Sequence, residues 1–315
     1  MKYYIGVDVG GMSVKAGVVD KDGRIIAKET CETHPERHFS EVICDVANLC
    51  KAVATKAGIT TEEIAGVGIG VPGTVNGKLG VVTYSGNLNF VKVKFLEEFR
   101  KNFDVPAFIG NDANCAALGE TRFGSGGGKK NAFLVTLGTG VGSGFIIDDK
   151  IYEGNNGEGA EGGHICIKMG GEKCTCGERG CWEAYASATA LVRQTERAIK
   201  RHPESLMNDI VKEMGRVSGR TAFIAYNRGD KTATRVVKNY VNYVARGIIC
   251  LVNVFRPEIV MVGGGVSHEG DYFVKMIEDV VKVHSFGGSN NVCPPVVRAS
   301  LGNDAGIIGA AALAM

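Results

Sequence analysis

Apolar residues arrive along this chain in short runs separated by glycine and polar clusters, and the runs alternate between a period of two and a period near 3.6. Tyr3 to Val7 and Val14 to Val19 read as strands joined by the turn Asp8-Val9-Gly10-Gly11, and Arg24 to Thr30 as a third strand. Phe39 to Ala57 places Val42, Val46, Leu49 and Val53 at helical spacing. Ile64 to Val71 is a buried strand that runs into Pro72-Gly73, residues 76–88 are loop or hairpin, and Val93 to Phe103 is a helix. Pro106 to Ile109 is a strand that stops at Gly110-Asn111-Asp112, followed by a helix over Ala116 to Phe123. Further on, helices are expected over Glu183 to Ala198 and Thr234 to Val254. Ile259 to Val262 is a buried strand, an amphipathic helix runs to Val281, Pro295 to Arg298 is the last strand, and a small-residue helix ends the chain. Strands alternating with helices predict an α/β protein with mixed sheets.

The opening shape returns. Ala132 to Asp148 is again an apolar run, a glycine turn (Gly138-Thr139-Gly140) and a strand, and at an offset of 128 residues Gly10 falls on Gly138 and Asp20 on Asp148. This predicts two halves, each beginning with a hairpin whose turn offers backbone amides to phosphate.

At 315 residues the chain is expected to form two domains. A formal net charge of +2, from 36 basic and 34 acidic residues, argues against nucleic acid or an anionic membrane as the partner and for a small molecule. Glycine, 45 residues and about twice its usual share, gathers between apolar runs where a backbone approaches a ligand closely. Ten cysteines with no apolar leader in MKYYIGVDVGG predict a reducing cytoplasm and free thiols, and no long uncharged run suggests a membrane span.

Residues 159–183 resist explanation by packing. His164, Cys174, Cys176 and Cys181 fall in the pattern H-x9-C-x-C-x4-C, the donor set of a closed tetrahedral zinc site. Glu161 and Glu183 flank it, and with His164 they suit recognition of sugar hydroxyls. A histidine can hold metal through one ring nitrogen and a hydroxyl through the other. Asp8, before two glycines, can orient hydrated Mg²⁺ on a nucleotide or simply satisfy its own turn. Asp112 can accept the proton of an attacking hydroxyl, with Asn111 beside it, although an Asn-Asp pair there is also an ordinary helix cap.

With these motifs assembled, the sequence resembles the ROK family of sugar kinases, bacterial glucokinases in particular, nearly end to end. Asp8-Val9-Gly10-Gly11 and Leu137-Gly138-Thr139-Gly140 resemble the two phosphate motifs. Val71-Pro72-Gly73 and Asn111-Asp112-Ala113-Asn114 resemble the sugar segments, Gly263-Gly264-Gly265 the adenosine-side loop, and residues 301–306 the closing motif. The resemblance implies an actin-like, ribonuclease-H-like fold of two α/β domains around a cleft, a smaller one of residues 1–115 plus 301–315 and a larger one of 116–300. It implies ATP with Mg²⁺, structural zinc on the His164 quartet, and a homodimer or higher oligomer.

Carried over by position, the resemblance makes Asp112 the general base and Gly73, Asn87, Asn111, Glu161, His164 and Glu183 the sugar site. Asp8, Gly10, Gly11, Met12, Ser13, Gly138, Thr139, Gly140, Gly264 and Gly265 fall on the nucleotide. The expected reaction is phosphorylation of D-glucose to glucose 6-phosphate, with fructose, mannose, allose, N-acetylmannosamine or a glucoside as alternatives. A sugar-sensing repressor is the rival outside catalysis, disfavoured because the first phosphate strand begins by Tyr3 and leaves no room ahead of it for a DNA-reading module. Two positions depart from the pattern: Met12 stands where the family usually has threonine, and Gly162 where a larger apolar residue is common. The second is expected to leave more room or more flexibility beside the sugar.

Overall fold

The computed structural model describes residues 2–315. In chain order it forms β1 (Tyr3–Val9), β2 (Ser13–Val19), β3 (Ile25–Glu32), α1 (Phe39–Ala57), β4 (Ile64–Val71), β5 (Thr74–Asn76), β6 (Val81–Ser85), β7 (Phe90–Val93), α2 (Phe95–Asn102), β8 (Ala107–Asn111) and α3 (Asp112–Phe123). There follow β9 (Ala132–Leu137), β10 (Val141–Ile147), β11 (Lys150–Tyr152), α4 (Glu183–Ala186), α5 (Ala188–Arg201), α6 (Met207–Met214), α7 (Gly219–Asn227), α8 (Lys231–Phe255), β12 (Ile259–Gly263), α9 (Asp271–His284), β13 (Val296–Arg298) and α10 (Ala305–Ala312).

The two large sheets have the same topology, β3-β2-β1-β4-β8 and β11-β10-β9-β12-β13. In the first, β1 pairs antiparallel with β2 and parallel with β4, and β4 pairs parallel with β8. In the second, β10 pairs antiparallel with β11 and β12 parallel with β13. Each glycine hairpin therefore occupies the same place in its sheet, as the sequence offset predicts. Residues 76–88, read as loop or hairpin, lie within a third sheet, β5-β6-β7.

The chain divides into two compact units, one of residues up to 134 with 144–160 and 300–315, the other of 135–143 with 161–299. The first keeps all of α3, so it reaches past position 115, where the sequence places a boundary, and it is the larger of the two rather than the smaller. The reason is α10. This helix lies so close to β1, β4 and α3 that glycine is needed at the contacts. A Cβ at Gly6 would sit 1.8 Å from the Ile307 carbonyl oxygen, one at Gly68 1.7 Å from that of Ala310, and one at Gly309 1.7 Å from that of Cys115. The segment leading into α10 is held by Glu120, a fully buried carboxylate on α3 that accepts from the amides of Ser300 (3.1 Å), Leu301 (2.6 Å) and Ser125 (3.1 Å).

The second unit is mostly helical. The helix expected over Glu183 to Ala198 is in fact two, α4 and α5, because the Ser187 hydroxyl caps the second by accepting from the Ala190 amide at 3.1 Å. Among the described residues no helix is long and apolar enough to cross a membrane.

Candidate functional site

In the first unit, β1 and β8 deliver two carboxylates at their C-terminal ends. Asp8 is the next-to-last residue of β1, and Asp112 begins α3 directly after β8. Burial pushes the Asp8 carboxyl above its usual range; Lys15, 4.0 Å away, opposes this, and the Asp112 charge adds to it. Burial also raises Asp112, against the Ala113 amide that donates to its Oδ1 at 2.8 Å. A raised carboxylate is a stronger base, which suits proton acceptance. Gly306, at the start of α10, packs on Asp8: a Cβ there would lie 2.7 Å from the Asp8 carboxyl carbon.

Asn111 has two roles. Its side-chain oxygen caps α3 by accepting from the Asn114 amide at 3.1 Å, and its amide nitrogen donates to the Gly73 carbonyl at 2.9 Å. The cap reading of the Asn-Asp pair holds, and the same side chain also ties the start of α3 to the Gly73 segment. Gly73 has φ +103°, and a Cβ there would meet the Tyr84 carbonyl oxygen at 2.2 Å. The first glycine turn closes with the Gly10 amide donating to Ser13 at 2.9 Å, and the Thr33 hydroxyl donates to the Gly10 carbonyl at 2.7 Å. Gly11 faces Asn87, whose Cβ lies 3.3 Å from a Cβ placed on Gly11, so the first glycine turn meets the connection between β6 and β7 there. Met12 is 89% exposed and its side chain packs on nothing in the core. Glu153, which no sequence motif singles out, approaches Gly77, and burial raises its carboxyl too.

In the second unit, Gly138 donates to the Gly140 carbonyl at 3.0 Å, and the turn is tied to α5 by the Ala188 amide on Gly138 (2.8 Å) and the Thr189 hydroxyl on Thr139 (2.9 Å). Gly264 has φ +81°, and a Cβ on it would lie 2.5 Å from the Leu137 nitrogen, so the Gly264-Gly265 loop sits against the end of β9. Nothing comes within 4 Å of a Cβ placed on Gly138 or Gly265, so the space beside both residues is open.

The ligand atoms of His164, Cys174, Cys176 and Cys181 all lie within 4.8 Å of one another. Cys176 Sγ is 3.6 Å from Cys181 Sγ, and Cys174 Sγ is 3.7 Å from His164 Nδ1. A tetrahedral site with metal–sulfur bonds near 2.3 Å has edges of about 3.8 Å, so the donor set fits a structural zinc. Nδ1 is the nitrogen turned to the thiols, which leaves Nε2 for a second partner. Glu183 links this loop to the glycine turn. Its Oε2 accepts from the Val141 amide at 3.1 Å and its Oε1 from the Thr175 hydroxyl at 2.9 Å and the Cys174 thiol at 3.6 Å, Oε2 retaining capacity for a further donor. Glu161 is exposed, and its carboxylate accepts no hydrogen bond among the described residues.

The loop is anchored by residues that sequence reasoning passed over. Trp182 is fully buried; its Nε1 donates to the Tyr243 carbonyl at 2.8 Å, and its ring lies on Gly247 of α8. The Tyr185 hydroxyl accepts from the Glu172 amide at 2.6 Å, and Arg197 grips the Glu172 carboxylate at 2.6 and 3.2 Å. That Trp182 is the chain's one tryptophan, between a metal ligand and Glu183, was the available signal. The room expected at Gly162 does not exist. Ser143 fills it, accepting from the Gly162 amide at 2.8 Å, and a Cβ on Gly162 would lie 2.8 Å from the Ser143 hydroxyl and 3.4 Å from Leu251.

Residues 4–315 match the ROK family. The chain belongs to that family. The glucokinase of Streptomyces coelicolor is 36% identical over 317 residues, 98% of this chain and 96% of the relative, and that of Thermotoga maritima is 36% identical over 313 residues with the same coverage. Among solved structures, a ROK family glucokinase from Streptomyces griseus in complex with glucose and AMPPNP is similar with a TM-score of 0.81 and 33% identity, covering 99% of this chain and 98% of that one. The fold is the actin-like ATPase fold of ROK kinases.

Proposed function

We propose that this chain transfers the γ-phosphoryl group of ATP to glucose, giving ADP and glucose 6-phosphate. The observation that carries the reading is Asp112: a carboxylate raised by burial, at the start of a helix, beside the Asn111–Gly73 hydrogen bond. Glucokinases related over nearly the whole chain support it, as does the similar glucokinase bound to glucose and AMPPNP.

Asp112 accepts the proton of the attacking hydroxyl as the oxygen reaches phosphorus, while Asn87, Asn111 and the Gly73 segment orient the ring. Glu161, His164 through Nε2 and Glu183 accept or donate to the remaining hydroxyls. The turns Gly10 to Ser13 and Gly138 to Gly140 receive the phosphates, the Gly10 and Gly138 amides closing the turns and the Gly11, Met12, Thr139 and Gly140 amides being the donors, and Gly264 and Gly265 face the adenosine. Asp8 would hold the hydrated Mg²⁺, which would supply neutralisation of the phosphate charge. His164, Cys174, Cys176 and Cys181 would hold a structural zinc, which would fix the loop between Glu161 and Glu183. The test is a coupled ADP-release assay over a hexose panel, with Asp112→Ala as control. Turnover is expected to be fastest on glucose; no turnover on any hexose, or a control within tenfold of the parent, overturns the assignment, since a positioned base contributes about 10²–10⁴-fold.

A further inference from the structure

Of the ten cysteines, one stands beside the quartet without belonging to it. Cys166 is exposed and lies directly opposite Cys181 in an antiparallel bridge. The flanking bonds define the pair: the Trp182 amide donates to the Ile165 carbonyl at 2.8 Å and the Ile167 amide to the Gly180 carbonyl at 2.9 Å. Bonds on both sides and none between make this a non-hydrogen-bonded pair, in which facing Cα atoms approach to about 4.5 Å and side chains share a face. That separation lies within the span of about 4.4–6.8 Å that a disulfide bridges. The main chain is thus already placed for a bond between a free thiol and a buried metal ligand. In the reduced chain the Cys166 sulfur points to the Arg179 carbonyl at 3.8 Å, so only side-chain rotation is required.

We propose that Cys166 and Cys181 form a redox modification site, in which a peroxide converts them to a cross-strand disulfide and removes one ligand from the zinc. The inference rests on the zinc reading above. Peroxide oxidises the Cys166 thiol to a sulfenic acid, its O–O bond breaking and one water leaving. The Cys181 sulfur then attacks the sulfenic sulfur; the S–S bond forms, the S–O bond breaks, and the departing hydroxide takes up a proton to become a second water. Two sulfurs lose two electrons and one hydrogen peroxide is reduced to two waters. Cys176 is nearer to Cys181 by sulfur position, but metal coordination occupies both of those sulfurs, whereas Cys166 is free to meet the oxidant. Cys181 precedes Trp182 and Glu183, so the bond acts where the loop is anchored.

The full-length protein is first analysed for zinc. It is then treated with hydrogen peroxide alongside Cys166→Ser, with released zinc followed by a chromogenic chelator and disulfides mapped by non-reducing mass spectrometry. A linked Cys166–Cys181 peptide, zinc release at least tenfold slower in Cys166→Ser, and recovery of both thiols with dithiothreitol are expected. Equal release from both proteins, or a dominant Cys176–Cys181 link in the parent, overturns the proposal. A zinc-free protein that still forms the Cys166–Cys181 link refutes the metal reading and leaves the disulfide standing.

Discussion

Replacing Gly247 by alanine tests how the loop carrying His164 and the three thiols is held, because two effects of opposite sign meet there. Gly247 lies inside α8, where alanine is ordinarily more favourable than glycine by about 0.8–1.0 kcal/mol. Here the new Cβ would fall 2.0 Å from Trp182 Cε2 and 2.5 Å from its Nε1. Carbon atoms in contact settle at about 3.5–4.0 Å, so the ring must retreat by roughly 1.5 Å or more. That movement strains a fully buried site, at about 1–3 kcal/mol. It also breaks the bond from Nε1 to the Tyr243 carbonyl, worth about 1 kcal/mol. Steric strain exceeds helix propensity, and the net expectation is destabilisation by about 1–3 kcal/mol. Trp182 precedes Glu183, so the glucose KM rises as well. Urea unfolding gives the first quantity and the coupled ADP-release assay the second. In a Trp182→Leu background the same substitution is expected to become neutral or stabilising, because the ring that opposes it has gone. If Gly247→Ala alone raises stability as an unhindered helix position does, the indole does not hold the loop and the reasoning fails.

Asp112→Asn preserves shape and the Oδ1 acceptor but removes the base, so kcat is expected to fall about 10²–10⁴-fold, or about 2.7–5.4 kcal/mol of barrier. Because burial raises the folded-state pKa above the unfolded one, the native state binds the proton more tightly, and stability declines as pH rises through that interval. The variant should therefore melt above the parent at neutral pH and level with it below the unfolded value of about 3.9, while the parent's kcat falls as pH drops through the raised pKa; equal melting at neutral pH would contradict the burial argument. Cys174→Ser should lose zinc and raise the glucose KM at least tenfold with little change for ATP, and an unchanged glucose KM with a normal fold would reduce the loop to a staple. Gly264→Ala, forced to hold φ +81° against the Leu137 nitrogen, should weaken ATP binding in calorimetry and spare glucose; equal losses for both ligands would contradict its placement on the nucleotide.

The glycine hairpins were legible in the sequence because a turn of amides needs glycine at fixed places, and the strand order repeated in both sheets bears out their shared register. The quartet was legible because few structures other than a metal site call for three thiols and an imidazole so close together, and the structure gathers those four side chains. The break at Ser187 was hidden by residues on either side that suit a helix equally well; only the hydroxyl bond to Ala190 distinguishes a cap from a helical serine. α6 and α7 escaped because each is short, at 8 and 9 residues, and packing rather than propensity holds them. Glu120 and Ser143 escaped for another reason: what each does depends on a partner distant in sequence, Leu301 for the first and Gly162 for the second. No local pattern records such a pairing.

The seating of α10 bears on how the protein is made. Asp8 and Asp112 stand in a unit whose core is completed by Ile307, Ala310 and Ala311, residues that leave the ribosome after every residue of the helical unit. Until they emerge, β1 and β4 expose a trough lined by Gly6 and Gly68, shaped for a backbone that does not yet exist. The helical unit can fold during synthesis, whereas the carboxylate-bearing unit waits for contacts that span almost the whole sequence, the slowest kind to form. A nascent chain should therefore gather His164 and the three thiols before Asp112 is in position, and remain inert toward ATP until synthesis reaches α10.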